Sequence, residues 1–212
     1  MKIVIVSGGT PPSYDIIKKE LKDSSLLICA DSGGECLYKY NIIPNFLMGD
    51  FDSISREALS FFSTQENCII DTYPEDKDFT DSELVLDKAI KLGANEIVFL
   101  GCTGTRIDHL MGNIGMLLRC LKLNIKAYIK DDNNIIEITD KPIRIKKEKG
   151  TTFSLQAYCD KVQDLNIRGA KYGLEHYDLT LGDPRTISNE FLNNDVNIDF
   201  TSGILLVFYS KD

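Results

Sequence analysis

Two aspartates one residue apart, Asp50 and Asp52 in Gly49-Asp50-Phe51-Asp52-Ser53, are the residues whose types and spacing first suggest chemistry. They follow a short apolar run, Phe46-Leu47-Met48, that reads as a buried strand opening into a loop. In extended chain, side chains two apart point the same way, which sets two carboxylates side by side. Like charges that close repel, and a cation between them relieves the repulsion. Mg²⁺ prefers oxygen ligands and keeps waters for a phosphate partner, so it suits such a pair. The same residues also make an Asp-rich turn, with Asp52 capping a helix that starts near Ser55. The motif alone leaves both readings open.

Further carboxylates stand where other strands give way to helices. Asp31 follows Leu26–Ala30, Asp78 and Asp81 follow Cys68–Ile70, and Asp108 follows Glu96–Leu100. In an open parallel sheet, ligands bind beyond the C-terminal strand ends, so these residues predict one acidic rim. Mg²⁺ held there for a polyphosphate explains the accumulation of negative charge. The stretch 71–87 carries seven acidic residues and a single base, Lys77, which can meet a phosphate as a point charge. Asp81 near a helix start can ligate metal, while Thr80 with Glu83 three residues later forms a capping box. The run Gly101-Cys102-Thr103-Gly104-Thr105-Arg106-Ile107-Asp108-His109 is neither a Walker A loop nor G-x-G-x-x-G. Its Gly101 and Gly104 allow backbone N–H groups to approach an anion, and Arg106 can grip a phosphate bidentately. Asp108 reads equally as an N-cap or as a ligand or base, and His109 as an acid/base or a structural histidine. Asn113 reads as structural.

These residues need a scaffold. Apolar strands at 2–7, 26–30, 46–48, 68–70, 96–100 and 125–130 alternate with helices at 13–21, up to Tyr40, 55–62, 80–92 and 108–123. Leu84, Val85, Ala89 and Leu92 form the predicted buried face of the fourth helix. Alternating elements with continuously apolar strands predict an α/β fold whose parallel sheet is covered on both faces. After Asp131-Asp132-Asn133-Asn134 the pattern changes to short extended runs at 135–139, 142–145, 152–158, 165–168 and 204–209. This predicts a second, smaller all-β domain, a sandwich or barrel, over 132–212 after an α/β domain over 1–131. The basic cluster Arg144, Lys146, Lys147, Lys149 reads as a solvated edge. Within the β part, Thr186-Ile187-Ser188-Asn189-Glu190-Phe191 reads as a turn entering a strand and identifies no ligand by itself.

A net charge of −8 argues against a nucleic-acid or anionic-membrane surface. The longest apolar runs are strand-sized, which predicts no membrane span, and the N-terminal run reads as a first strand rather than a signal peptide. Six cysteines without a C-x-x-C pair predict buried free thiols in a reducing cytoplasm, and they offer no zinc framework.

Taken together, the segments resemble the thiamine pyrophosphokinase (thiamine diphosphokinase) family. The resemblance is carried by Ala30-Asp31-Ser32-Gly33, Pro44 through Gly49-Asp50-Phe51-Asp52-Ser53-Ile54, Lys77-Asp78-Phe79-Thr80-Asp81 and Gly101–Asn113. It continues in Gly173-Leu174 with Tyr177, and in Ser188-Asn189-Glu190-Phe191. It implies a nucleotide-binding α/β domain followed by a β-sandwich, a homodimer with sites at the subunit interface, and ATP-to-thiamine pyrophosphoryl transfer releasing AMP. By similarity, Asp50, Asp52, Asp81 and Asp108 would bind Mg²⁺ and the triphosphate. Asp31, Lys77, Asp78, Thr80, Gly104, Arg106 and His109 would position the nucleotide. Thr186, Ser188 and Asn189 would meet thiamine from the β domain. Thr105 stands where the family often has a second glycine, and Ser32 replaces a common glycine. With no tryptophan in the chain, Tyr177 is the expected stacking aromatic. Two other classes remain open at this stage: transfer to another small alcohol such as a pterin or sugar, and a non-catalytic Mg-nucleotide or thiamine-diphosphate sensor.

Overall fold

The computed structural model describes residues 1–74, 80–147, 152–192 and 195–211. The chain divides into two compact units, Met1–Asp132 and Asn133–Asp212.

The first unit holds β1 (Lys2–Val6), β2 (Leu26–Ala30), β3 (Phe46–Gly49), β4 (Ile69–Thr72), β5 (Glu96–Leu100) and β6 (Lys126–Lys130). They pair in the order β6-β5-β1-β2-β3-β4, and each pairing is parallel. The parallel sheet expected from unbroken apolar strands is what forms, with Ile3, Val4, Ile5 and Val6 of β1 all fully buried. The chain winds outward from β1 to β4 and then returns to the other side of β1 with β5. The order therefore reverses between β1 and β5, where an open α/β sheet leaves a crevice at its carboxyl edge.

The connecting helices are α1 (Tyr14–Leu21), α2 (Gly34–Lys39), α3 (Arg56–Ser63), α4 (Asp81–Lys91) and α5 (Ile107–Lys122). Helix α4 starts as expected: the Thr80 hydroxyl accepts from the Glu83 N–H while the Glu83 carboxylate accepts from the Thr80 N–H. Such a cap contributes about 1 kcal/mol. Its buried face comprises Val85, Leu86 and Ala89 rather than the expected set, because Leu92 lies past the last helical turn at the C-cap and is exposed. Helix α3 is capped by Ser55, whose hydroxyl accepts from the Ala58 N–H, so the expectation of an Asp52 cap does not hold. Glu20 of α1 is buried between Lys2 of β1 at 2.9 Å and Lys130 of β6 at 2.8 Å, which ties the helix to two strands.

The second unit is a sandwich of two antiparallel sheets. One contains β7 (Asn134–Thr139), β9 (Thr152–Ala157), β12 (Asn189–Glu190) and β14 (Leu205–Ser210), in the order β12-β9-β14-β7. The other contains β8 (Ile143–Ile145), β10 (Lys161–Arg168), β11 (Leu174–Thr180) and β13 (Val196–Asp199), in the order β11-β10-β13-β8. Phe153, Leu155, Val162, Leu165, Ile198, Val207 and Tyr209 fill its core. Strands β11 and β13 were not expected from sequence, whereas β12 forms where the turn at 186–191 was expected to enter a strand. Strand β11 buries only Leu179 well and pairs with β10 through register shifts, so it shows no clean alternation. No helix among the described residues is long and apolar enough to cross a membrane.

Candidate active site

The α/β unit carries a cavity of about 730 Å³ at the carboxyl edge of its strands. Three carboxylates define its floor: Asp31, Asp50 and Asp52 each offer an oxygen within 4.8 Å of the others. Each is placed by unusual backbone. Asp31 opens a 3-10 turn directly after β2, with φ at +40° in the left-handed region. Gly49 at the end of β3 permits its approach, since a Cβ on Gly49 would lie 2.9 Å from the Asp31 Cβ. Between the other two aspartates, Phe51 has φ at +65°. The pair is therefore not set side by side by extended chain, as the spacing predicts. A left-handed residue turns the chain instead, and the Asp52 N–H donates to the Asp50 carboxylate at 3.3 Å. Left-handed conformations in non-glycine residues are strained and persist where the surroundings impose them.

The electrostatics follow from that packing. Asp31 is 8% exposed and its Oδ1 has no hydrogen-bond partner among the described residues. Its pKa is raised, first by burial and then by the charges of Asp81, Asp50 and Asp52, against a lowering hydrogen bond from the Ser32 N–H. A buried anionic oxygen without a donor is costly and marks a place a cation would complete. Asp81, the first residue of α4, lines the same cavity.

The opposite wall is formed by the loops after β1 and β5, which are zipped together. The Gly9 N–H donates to Gly101 O at 2.7 Å and the Thr10 N–H to Thr103 O at 2.6 Å. Gly101, at φ +65°, lets its loop lie on Ser7, whose carbonyl oxygen would be 2.2 Å from any Cβ there. Gly101 thus serves loop-on-loop packing, a different use from the anion approach expected of it. Gly104, Arg106 and His109 line the cavity, and Asn113 acts structurally as expected, donating to Cys102 O at 2.8 Å.

Asp108 stands apart from the acidic trio. Its carboxylate is engaged by Arg106 in a two-point pair, at 3.2 Å from Nε and 2.6 Å from Nη2, and both side chains are well exposed. That pairing holds its pKa down to about 2. Asp108 is not an N-cap either, because α5 begins at Ile107 with Arg106 in the cap position and no side-chain cap. A second groove of about 360 Å³ between α4 and α5 takes in Asp108 and shares Thr80, Ser82, His109 and Asn113 with the main cavity. Lys77 and Asp78 lie outside the described residues.

Sequence reasoning missed the β1 loop, whose Ser7, Gly8 and Thr10 line the cavity with Ser32 and Ser82. The available signal was the glycine pair Gly8-Gly9 just after the apolar first strand. Ser82 also links α4 to that loop, its hydroxyl 3.3 Å from the Ser7 hydroxyl.

In the sandwich, the expected substrate residues divide by how fully they are engaged. Thr186 is buried and donates to Leu155 O at 2.6 Å. Asn189 is 3% exposed. Its amide donates to Tyr172 O at 2.8 Å and accepts from the N–H groups of Tyr172 and Glu190 at 3.0 and 2.9 Å. Ser188 is exposed with φ at +56°, its N–H donating to the Ser154 hydroxyl, while its own hydroxyl meets no described partner. Tyr177 is half-buried on β11 and its hydroxyl donates to Asp183 at 2.5 Å.

Comparison with known proteins agrees with this architecture. The model of the thiamin pyrophosphokinase catalytic domain matches residues 17–129, and that of the thiamin pyrophosphokinase vitamin B1 binding domain matches residues 141–205. Thiamine pyrophosphokinase from Bacillus subtilis is 32% identical over 212 residues, covering 99% of both chains. Its crystal structure superposes with a TM-score of 0.89 at 31% identity over 100% of each chain. The thiamin pyrophosphokinase of Geobacillus thermodenitrificans gives 0.87 at 27% identity, covering 100% of this chain and 98% of that one.

Proposed function

The chain belongs to the thiamine pyrophosphokinase family, an enzyme family that transfers a pyrophosphoryl group from ATP to thiamine, and we propose that its carboxylate rim is where this transfer occurs. The observation that carries the assignment of the rim is the Asp31–Asp50–Asp52 cluster, with one buried oxygen that no described residue hydrogen-bonds. A set of hard oxygen donors around an uncompensated negative charge fits Mg²⁺. Asp31, Asp50 and Asp52 would hold it, with Asp81 beside them. A bound Mg²⁺ supplies neutralisation of charge on the phosphates of ATP.

The chain's own residues do the remaining work. The thiamine hydroxyl oxygen attacks the β-phosphorus of ATP, the bond from that phosphorus to the α–β bridging oxygen breaks, and AMP leaves. Such transfer is governed by in-line placement and charge stabilisation more than by proton abstraction. Arg106 is a bidentate phosphate ligand held in readiness by Asp108, and Gly104, Thr80 and His109 line the nucleotide's side of the cavity. Lys77 and Asp78 complete the positioning set. The proton acceptor for the thiamine hydroxyl is Asp81, which lines the main cavity, whereas the Asp108 carboxylate is already engaged by Arg106. In the sandwich, Tyr177 offers a ring to thiamine and Ser188 an uncommitted hydroxyl. Thr186 and Asn189 hold the turn that carries Ser188.

Two further readings complete the proposal. Free thiols at all six cysteines accord with a reducing, cytoplasmic setting. The exposed Ile107 and Met111 of α5, at 71% and 54%, support a homodimer, which sedimentation tests directly.

The decisive assay is AMP release from Mg-ATP with and without thiamine, with the products analysed for thiamine diphosphate. Thiamine-dependent AMP with equimolar thiamine diphosphate is the expected result. ATP binding without AMP formation would overturn the catalytic reading.

A further inference from the structure

The ring of Tyr177 is fixed from two directions and covered from a third. It packs against the sandwich core, and its hydroxyl is tied to one oxygen of Asp183. The other Asp183 oxygen accepts the Arg185 N–H at 2.9 Å and so caps the 3-10 turn Pro184–Thr186. The buried Thr186 hydroxyl anchors that turn to Leu155 O. With the turn held in this way, the Arg185 guanidinium carbon lies 4.7 Å from the centroid of the Tyr177 ring. Among the described residues no carboxylate forms a salt bridge with Arg185, so the guanidinium rests on the ring face and feels Asp183 only at longer range. The ring is rigidly placed, and the cation on it is exposed and weakly held.

A guanidinium and a thiazolium are both planar, delocalised cations. A ring face that accommodates one has the shape and the negative quadrupole to accommodate the other. We propose that Arg185 is an exchangeable cover on Tyr177, displaced by the cationic ring of thiamine, and thereby a specificity-determining residue. A neutral ring would also have to displace Arg185 but would return no cation–π attraction, so the exchange selects for a cation. The inference rests on the reading of Tyr177 as the thiamine platform and deepens it.

The test is thiamine titration by calorimetry, together with steady-state kinetics, on the full chain and three variants: Arg185→Ala, Tyr177→Leu and the double variant. Arg185→Ala removes an exposed side chain and is checked by its melting curve. Removing the cover is expected to tighten the thiamine Kd roughly two- to five-fold, the equivalent of one exposed cation–π contact, with KM falling in parallel. A structural role for Arg185 would move Kd and KM in the opposite direction. Tyr177→Leu should weaken binding, and in that background Arg185→Ala should no longer improve it, since no ring remains to be uncovered. If Tyr177→Leu weakens binding while Arg185→Ala leaves Kd unchanged or raises it, the exchange is refuted and the platform stands. If Tyr177→Leu leaves Kd unchanged, the platform reading fails and the exchange with it.

Discussion

The rim of the α/β unit and the turn of the β unit treat their polar groups in opposite ways. At the rim, Asp31 is buried beside Asp50 and Asp52 with an oxygen that nothing described hydrogen-bonds. At the turn, Asn189 is as deeply buried, yet its amide makes three hydrogen bonds. Unpaired buried charge costs stability, whereas a satisfied amide network supplies it. In the proposed site a cation would complete the first arrangement, while the second holds a loop in shape. Residue type alone does not separate the two roles. Both aspartate and asparagine recognise ligands readily, and only the bookkeeping of donors and acceptors shows which groups are already engaged.

The sharpest way to break this contrast is at the rim. Asp52→Asn keeps the shape and removes one charge from the cluster. The expected result is a kcat lower by about 10²–10⁴-fold, since several kcal/mol of phosphate charge stabilisation depend on the cluster. The melting temperature should stay near that of the parent chain, because Asp52 is exposed and, among the described residues, its carboxylate hydrogen-bonds only the Ser53 hydroxyl. A near-normal rate would remove Asp52 from the metal site.

At the turn the balance should reverse, with stability suffering before chemistry. Asn189→Ala strands the Tyr172 carbonyl and the N–H groups of Tyr172 and Glu190. The expected loss is about 2–3 kcal/mol, or roughly 4–12 °C in Tm, measurable by thermal and urea unfolding. Ser188→Ala, at an exposed hydroxyl with no described partner, should leave Tm unchanged and raise the KM for thiamine. If Asn189→Ala melted normally and only KM rose, Asn189 would be a substrate contact, not a scaffold residue.

The contrast also explains what the sequence disclosed. The parallel strands were readable because the central ones, buried on both faces, demand unbroken apolar runs; the edge strand β4 is the exception, half exposed and ending in Asp71-Thr72. The start of α4 was readable because Thr80 and Glu83 cap reciprocally within one turn. The acidic rim was readable as a set of loop residues, Asp31, Asp50 and Asp52 among them, but not the left-handed backbone at Asp31 and Phe51 that brings those three together. Asp108 leaves the set because Arg106, two residues away, captures it. Strand β11 was missed because it alternates irregularly through a register shift, whereas β13, Val196–Asp199, carries a buried/exposed alternation that was overlooked. At the rim and in β11 long-range packing decided, and local pattern could not report it.

The smallest expected effect concerns the charge of Asp31 itself. Burial, followed by Asp81, Asp50 and Asp52, raises its pKa, so the folded chain keeps that proton to a higher pH than the unfolded chain does. Stability contributed by this group is therefore present at low pH. It is lost as pH rises from the ordinary carboxylate value of about 4 through the raised one. Asp31→Asn removes the titration. In the absence of metal the variant should match the parent near pH 4 and exceed it at pH 7 by a few degrees in Tm, on the order of 1 kcal/mol. Added Mg²⁺ should raise the Tm of the parent chain and much less that of the variant, because mass action stabilises only a fold that binds the ion. The two curves then approach each other at neutral pH. A variant less stable than its parent at pH 7 without metal would show that the rim carries no stored repulsion, and the contrast with the turn would collapse.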